Sequence, residues 1–192
     1  MKKKQDHLIK VAGMDPSMSN WGLAIGTYNT QTDELSFDEL LVVKPVINKD
    51  KKIRASTRDI QRAETLFFHI MDKIQDIDLV VAETPIAGQD SRSCVNYAMC
   101  NSLIAAMNVL RKYPIIEVSP YDVKAVVAKG AQKNDMIAWA LDQHPEAQWK
   151  TRVVKGLRTI VVGHAEHVAD AIAAFYAGSK NKSFLTHLEN IS

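Results

Sequence analysis

Acidic residues stand at three separate points of the chain where they could perform chemistry. Asp15 ends a short apolar run that begins at Val11, and Glu83 ends a second run that begins at Asp78. A third acidic group, His164-Ala-Glu-His-Val-Ala-Asp170, opens an apolar segment near the C-terminus. Because a buried carboxylate is costly unless a cation compensates it, these three points predict a divalent-metal site suited to phosphoester chemistry.

The spacing of these acids allows them to meet on one site. Asp15 and Glu83 would end neighbouring strands, where ligands of open α/β sheets gather. His167 and Asp170 are three residues apart on a helix, and Glu166 and Asp170 are four apart, so each pair shares a face. Mg²⁺ prefers carboxylate and water oxygens, and two ions about 4 Å apart can activate a water and neutralise a phosphate. A separation beyond about 12 Å between Asp15 and the C-terminal helix would contradict this prediction.

The elements that must position these residues follow from apolar periodicity and turn residues. Predicted strands cover about 11–15, 23–28, 34–43, 78–83 and 115–118, and predicted helices cover about 56–75, 91–111, a segment starting at 119–120, 134–143 and 165–177. Three strands followed by β/α alternation predict one mixed sheet with helices on both faces. We expect a single domain over 1–192, with flexible tails at 1–7 and 179–192, while 144–163 shows no clear pattern.

Composition limits the classes of protein to consider. Hydrophobic residues are 46% and charged residues 24% of the chain, which is typical of a globular protein. The net charge of +2 is small, so a nucleic-acid footprint would have to come from local clusters. No apolar run of signal-peptide or membrane-span length occurs, which predicts a cytoplasmic protein without membrane contact. Cys94 and Cys100 would point to different helix faces and are expected to remain unpaired.

Basic residues are concentrated in two segments. The first segment contains Lys124, Lys129 and Lys133, and the second contains Lys150, Arg152, Lys155 and Arg158. Either set is compatible with a solvated surface or with contacts to a phosphate backbone. Arg92, near the start of the predicted second helix, is compatible with a phosphate contact or an ordinary helix terminus.

Four segments together resemble RuvC-type Holliday junction resolvases, which have the RNase H-like nuclease fold. The resemblance runs from about residue 8 to residue 178. The segments are Gly13-Met-Asp-Pro-Ser-Met-Ser-Asn-Trp-Gly22, Ala82-Glu83, Ser119 to Lys133, and His167-Val-Ala-Asp-Ala-Ile-Ala173. They occur in the family's order and at comparable separations, so together they are more specific than any one alone.

The resemblance implies a mixed five-stranded sheet, three antiparallel strands followed by parallel strands, flanked by helices. It assigns one set of residues to both catalysis and metal binding: Asp15, Glu83, His167 and Asp170. It implies Mg²⁺ as cofactor, with Mn²⁺ able to substitute, and a symmetric homodimer that cuts four-way DNA junctions by paired nicks. Lys124 and Lys133 match two lysines that are important in the family.

The chain departs from the family pattern at three places. Ser17 stands where the family has Gly, and Ile86 lies where the family has an aromatic wedge between bases. We expect Ile86 to insert between bases as aliphatic side chains do elsewhere, although it cannot stack like a ring. The stretch from Lys133 to His167 is longer than in bacterial members, and its added basic residues are expected to contact DNA. A divergent, phage-type member would account for these differences.

Several alternatives remain open from the residues alone. Asp15 also suits a turn before proline, and His167 also suits an ordinary helix surface. Glu166 competes with His167 as a metal ligand, and a zinc site at His164, His167 and Asp170 lacks a visible fourth ligand. Other functions of the same fold are cleavage of RNA–DNA hybrids or flaps, and junction binding without catalysis.

Overall fold

Five strands form one mixed sheet in the computed structural model, which describes residues 7–47, 50, 52–86, 88, 90–112 and 115–191. The strands are β1 (Leu8–Asp15), β2 (Trp21–Asn29), β3 (Leu35–Val43), β4 (Leu79–Glu83) and β5 (Ile116–Val118). They lie in the order β3-β2-β1-β4-β5. The first three strands are antiparallel, whereas β4 pairs in parallel with both β1 and β5. This confirms the predicted sheet.

Helices cover both faces of the sheet. Their bounds are α1 (Ala55–Ile74), α2 (Ser91–Leu110), α3 (Pro120–Val127), α4 (Lys133–Gln143), α5 (Val162–Gly178) and α6 (Lys182–Ile191). One core cluster joins α1 and α2 to the sheet, and a second joins α3, α4, α5 and α6 to its opposite face. The sheet is therefore the middle of three layers.

Alternation along the strands decides which side chains reach which layer. On β1, Ala12 and Met14 pack toward α1 and α2, whereas Val11 belongs to the core cluster that contains α5. Asp15 lies four residues after Val11, so its side chain points to the same side of the sheet as that of Val11. On β4, Val81 belongs to the cluster with α5, and Glu83 follows it by two residues. Both strand-ending acids consequently point to the α5 side of the sheet.

Local capping explains why α3 begins where it does. The Ser119 hydroxyl oxygen accepts a hydrogen bond from the backbone N–H of Asp122, and the Asp122 carboxylate accepts one from the Ser119 N–H. This reciprocal pair satisfies free helix donors, and Pro120 suits the first helical position. The predicted helix start at Ser119-Pro120 is confirmed.

One hairpin and one helix were not predicted. Residues 144–163 contain a hairpin of β6 (Thr151–Val154) and β7 (Leu157–Ile160), which forms a separate two-stranded sheet. The expected tail at 179–192 contains α6, because Phe184 is buried against Tyr28 and Phe175 at ring separations of 5.6 and 5.7 Å. Phe184, with Leu188 packed against the same core, thus holds the helix on the domain.

The remaining predictions concern the termini, the cysteines and the membrane. Residues 1–6 of the expected N-terminal tail lie outside the described residues. Cys94 is exposed and Cys100 is buried, and both are free thiols, as expected. Within the described part of the chain, no helix combines the length and apolarity that a membrane span requires. The single-domain organisation stays a prediction.

Candidate active site

Helix α5 lies unusually close to β1 and β2, because glycines face it on both strands. A Cβ atom added to Gly13 would lie 1.9 Å from the carbonyl oxygen of Ala171. One added to Gly22 would lie 2.3 Å from the carbonyl oxygen of His167. Both distances are far below van der Waals contact, so only glycine allows this approach. The two glycines therefore fix the position of His167 above the end of β1.

The close contact of α5 with β1 and β2 at Gly13 and Gly22 is called the helix–sheet seam below. Asp15 and His167 are in direct contact across it. Nδ1 of His167 lies 2.8 Å from Oδ2 of Asp15, and with Asp15 ionised the Nδ1–H donates to the carboxylate. This hydrogen bond raises the pKa of His167. Burial raises the pKa of Asp15, although His167 partly opposes that shift. This separation is far below the roughly 12 Å beyond which Asp15 and the C-terminal helix could not share a site.

Glu83 and Asp170 complete a cluster of negative charge around this contact. Burial raises the pKa of Glu83 to about 8, and the charges of Asp15 and Asp170 act in the same direction. Burial raises the pKa of Asp170 to about 7, with further contributions from Asp15 and Glu166. The carboxyl groups are thus close enough to disfavour ionisation of one another. The structure brings together all four residues of the predicted catalytic set.

Two lysines border the cluster in different ways. Lys124 of α3 lowers the pKa values of Glu83 and Asp170 by its positive charge, although this effect is smaller than that of burial. Lys133, the first residue of α4, forms an ion pair with Glu166. Glu166 is therefore engaged by α4, and His167 is the residue that contacts Asp15.

The carboxylates interact, but they do not form a ready-made metal cage. Among the described residues, no three His, Cys, Asp or Glu side chains already surround one point as metal ligands. His164 is partly buried, and its Nδ1 has no hydrogen-bond partner. Its pKa is lowered by burial and then by the charges of Lys150 and Lys44. The zinc alternative at His164, His167 and Asp170 gains no support from this arrangement.

The other residues predicted to bind DNA lie in four places. Arg92 makes a bidentate ion pair with Asp59 of α1, with N–O distances of 2.5 and 2.7 Å, so a phosphate contact would compete with this pair. Ile86 is exposed three residues after Glu83, and Lys129 is exposed beyond the end of α3. Arg152 and Lys155 are exposed on the β6–β7 hairpin. Their DNA contacts stay predictions.

Three features of the site were missed from the sequence. These are the close approach at Gly13 and Gly22, the Lys133–Glu166 pair and the Arg92–Asp59 pair. An isolated glycine within a strand often marks a close backbone approach, so the glycines gave a usable signal. The ion pairs join residues 33 positions apart, and no local pattern identifies such partners.

The sheet order and the two helical layers define a RuvC-like, RNase H-type fold. The structure is similar to T. thermophilus RuvC in complex with Holliday junction substrate, with a TM-score of 0.61 and 15% identity. That likeness covers 94% of this chain and 96% of the RuvC chain. It is also similar to the fowlpox virus resolvase in complex with substrate Holliday junction DNA, at a TM-score of 0.51 and 12% identity over 95% of this chain and 99% of that chain. The likeness confirms the predicted fold.

No model of a known protein family matches the chain, and no curated protein matches its sequence. The relationship is therefore visible in three dimensions and in short segments rather than across the sequence. The resemblance to RuvC-type resolvases that the four segments predicted is confirmed at the level of the fold.

Proposed function

We propose that this chain is a metal-dependent, structure-selective endodeoxyribonuclease that resolves four-way DNA junctions by paired symmetric nicks. The proposed catalytic residues are Asp15, Glu83, His167 and Asp170. The observation that carries the proposal is the contact of Asp15 with His167 beside two carboxyl groups of raised pKa, contributed by β1, β4 and α5. The fold supports the same reading, since its solved neighbours include two resolvases with junction DNA.

The site suits a divalent cation that prefers oxygen ligands. Its donors are mainly carboxylate oxygens, which Mg²⁺ and Mn²⁺ favour. Glu83 and Asp170 have raised pKa values and form no hydrogen bond to a described side chain, so a cation would relieve an existing electrostatic cost. We propose that Asp15, Glu83 and Asp170 hold two Mg²⁺ ions. When bound, these ions would supply an activated water and neutralise charge on the scissile phosphate.

The side chains around the carboxylates have separate proposed roles. His167 either completes the ligand set or, when protonated, donates its proton to the leaving oxygen. Its raised pKa favours the protonated form near neutral pH. Lys124 lies near Glu83 and Asp170, and we propose that it binds the phosphate on the 3′ or 5′ side of the cut. Lys133 would exchange Glu166 for a phosphate oxygen, because its side chain is largely exposed.

Symmetric nicking requires two sites, and we propose that a homodimer provides them. A four-way junction has approximate two-fold symmetry, which a two-fold dimer matches. Helix α2 exposes Val95, Val109 and Leu110 to solvent and is the proposed contact. Sedimentation of the wild type should show a dimer, and Val109→Asp should shift it toward the monomer. A wild type that sediments as a monomer up to tens of micromolar would contradict this element of the proposal.

The central test is a nicking assay on a labelled four-way junction with Mg²⁺. Asp15→Asn should reduce nicking below detection while junction binding remains, because the substitution removes one charge from the site. It should also lower the pKa of His167, which NMR titration measures. Asp38→Asn is the matched control, since Asp38 is an exposed acid of the same sheet. Nicking by Asp15→Asn at the wild-type rate would refute the assignment.

A panel of substrates separates junction resolution from related nuclease activities. Four-way junctions, three-way junctions, flaps, linear duplexes and RNA–DNA hybrids should be compared at equal concentration. We expect paired nicks in the four-way junction at the highest rate. Equal or faster cleavage of hybrids or flaps would assign the chain to another nuclease class with the same fold.

A second candidate is a junction-binding protein without catalysis. One observation favours it: the described residues include no preformed group of three metal ligands. This candidate predicts junction binding that is insensitive to Mg²⁺ and no product at any Mn²⁺ concentration. A Mn²⁺ titration of the nicking assay distinguishes the two candidates.

A further inference from the structure

The β6–β7 hairpin projects from the domain as a structural unit of its own. Its strands pair only with each other, from Thr151 opposite Ile160 to Val154 opposite Leu157. The turn between them has positive φ at both Lys155 (51°) and Gly156 (80°). Two positive φ values are the signature of a tight type I′ turn, whose twist suits a two-stranded ribbon. The hairpin is therefore a defined ribbon rather than an irregular loop.

The ribbon carries a local excess of positive charge. Four basic residues and no acidic residue lie between positions 150 and 160: Lys150, Arg152, Lys155 and Arg158. The whole chain has a net charge of only +2. Within the part of the chain that the structure describes, none of these four forms a salt bridge. Their charge is therefore available to an anionic partner.

Exposed apolar side chains accompany these charges at the ribbon's tip. Val153 is 74% exposed, Leu157 is 71% exposed and Val154 is 41% exposed. At the base, by contrast, Trp149 and Ile160 pack against the core. An anchored base with a basic and apolar tip is typical of an element that enters a partner's groove rather than one that completes its own core.

The hairpin also emerges beside the candidate active site. The N–H of Val161 donates to the carbonyl of Lys150 at 2.9 Å and closes its base, and α5 begins at the next residue. His167 lies between one and two turns into that helix. Four-residue strands extend about 13 Å, so the tip can stand up to about 20 Å from His167. That distance corresponds to about six base pairs of duplex DNA.

We infer that the β6–β7 hairpin is a second DNA contact, which binds the groove of a duplex arm up to about six base pairs from the scissile phosphate. This inference rests on the proposed function. A two-stranded ribbon fits the major groove of B-DNA. Arg152 and Lys155 contact backbone phosphates, and Val154 and Leu157 lie against base edges such as thymine methyl groups. The hairpin thereby makes affinity depend on arm length.

The test measures junction affinity as a function of arm length and salt, with divalent cation omitted. Four-way junctions carry arms of about 4 or about 12 base pairs, each closed by a loop so that short arms stay paired. The variant is Arg152→Gln with Lys155→Asn, since asparagine tolerates the positive φ of residue 155. Arg158 is kept because its Nε donates to Thr151 Oγ1 at 2.8 Å.

A matched control removes the same charge at the other end of α5. Lys180→Gln with Lys182→Gln changes two exposed lysines just beyond the C-terminus of α5, about 25 Å along the helix from the hairpin. Thermal unfolding should give the wild-type midpoint for both double variants, because all four positions are exposed.

On long arms the hairpin variant should bind about tenfold or more weakly, and the slope of log affinity against log salt should fall by about 2, since two phosphate contacts are lost. On short arms it should match the wild type. An unchanged slope on long arms, or an equal loss in the lysine control, would overturn the hairpin contact while the nicking assay still supports the proposed function. A wild type that binds and nicks no junction of either arm length would overturn both.

Discussion

The two faces of the central sheet are made by the same strands and yet differ in kind. On the α5 face, Gly13 and Gly22 bring a helix backbone against the sheet, and four titratable side chains meet there. On the α1–α2 face the packing is mainly apolar, with Ile70 and Met107 fully buried, and the one buried carboxylate described there, Asp59, is paired with Arg92. Strand alternation creates this division. The comparison teaches that the α1–α2 face packs a largely apolar core, whereas the α5 face combines an apolar core of its own with buried carboxyl groups that disfavour one another's ionisation.

The largest effect on stability is expected on the apolar face. Ile70→Ala removes a fully buried side chain of α1, and the free energy of unfolding should fall by about 2 to 5 kcal/mol. Urea denaturation measures this loss. The raised pKa of His167, followed by NMR, should be unchanged because the Asp15 contact lies on the opposite face. A large shift in that pKa would show that the two faces are coupled.

A smaller loss with a greater functional consequence is expected at the helix–sheet seam. Gly22→Ala places a Cβ against the carbonyl of His167, so stability should fall by about 1 to 3 kcal/mol. Nicking should fall by about 10²-fold, since a shift of about 1 Å in a catalytic group has such an effect. Gly163→Ala on the same helix is the control, because its Cβ would meet nothing within 4 Å. Wild-type nicking by Gly22→Ala would refute the role of the seam.

The two faces should respond oppositely to pH. Glu83 and Asp170 have pKa values raised to about 8 and about 7, so the unfolded state loses protons first and stability falls as pH rises from about 4 to 8. The raised pKa of His167 acts in the same direction. In EDTA the decrease should be about 1 to 3 kcal/mol. Urea denaturation at pH 5 and pH 8 measures it.

One variant and one addition assign that pH dependence to the α5 face. Asp170→Asn should flatten it, and added Mg²⁺ should stabilise the wild type more at pH 8 than at pH 5. Asp59, between α1 and α2, behaves in the opposite way, because Arg92 lowers its pKa and its contribution is lost as pH falls through that value. Stability that rises from pH 5 to pH 8 in EDTA would contradict the electrostatic cost assigned to the site.

The smallest effects are expected at two ion pairs, Arg92–Asp59 and Lys73–Glu39. Arg92→Ala removes the bidentate contact but leaves Arg62 at 3.2 Å from Asp59, so the loss should be about 1 kcal/mol. Lys73→Ala, which breaks an exposed pair with Glu39, should cost less. Junction affinity separates structure from DNA contact. Weaker binding by Arg92→Ala with unchanged stability would place Arg92 on the DNA surface instead of in the helix pair.

Much of this difference between the two faces was predictable from the sequence, because it follows from the two-residue alternation of strands and the three- to four-residue spacing of helices. The alternation that buries Val11 toward α5 also directs Asp15 to that side of the sheet. Along β4, Val81 is buried toward α5, and Glu83, two residues later, points the same way. Spacing on α5 places His167 and Asp170 together. These are local rules, and they are enough to predict that the four side chains lie near one another; their roles stay predictions. Which face of the sheet α5 covers is a tertiary choice that no local rule specifies.

The missed elements have weaker local signals. The turn of the β6–β7 hairpin uses Lys155-Gly156 rather than the common Asn-Gly, and its strands are only four residues long. Helix α6 is held by Phe184, whose pocket is formed by Tyr28 and Phe175 from distant segments. Both depend on contacts that the chain acquires only after folding.

The different exposure of the two cysteines offers a probe that needs no mutagenesis. Cys94 is exposed on α2 and Cys100 is buried, so a thiol-reactive spin label should attach at one position per chain. Because α2 carries the proposed dimer contact, a dimer would hold two such labels, and pulsed electron paramagnetic resonance would measure the distance between them. Adding junction DNA to the labelled protein would then reveal whether the two subunits reorient on the substrate.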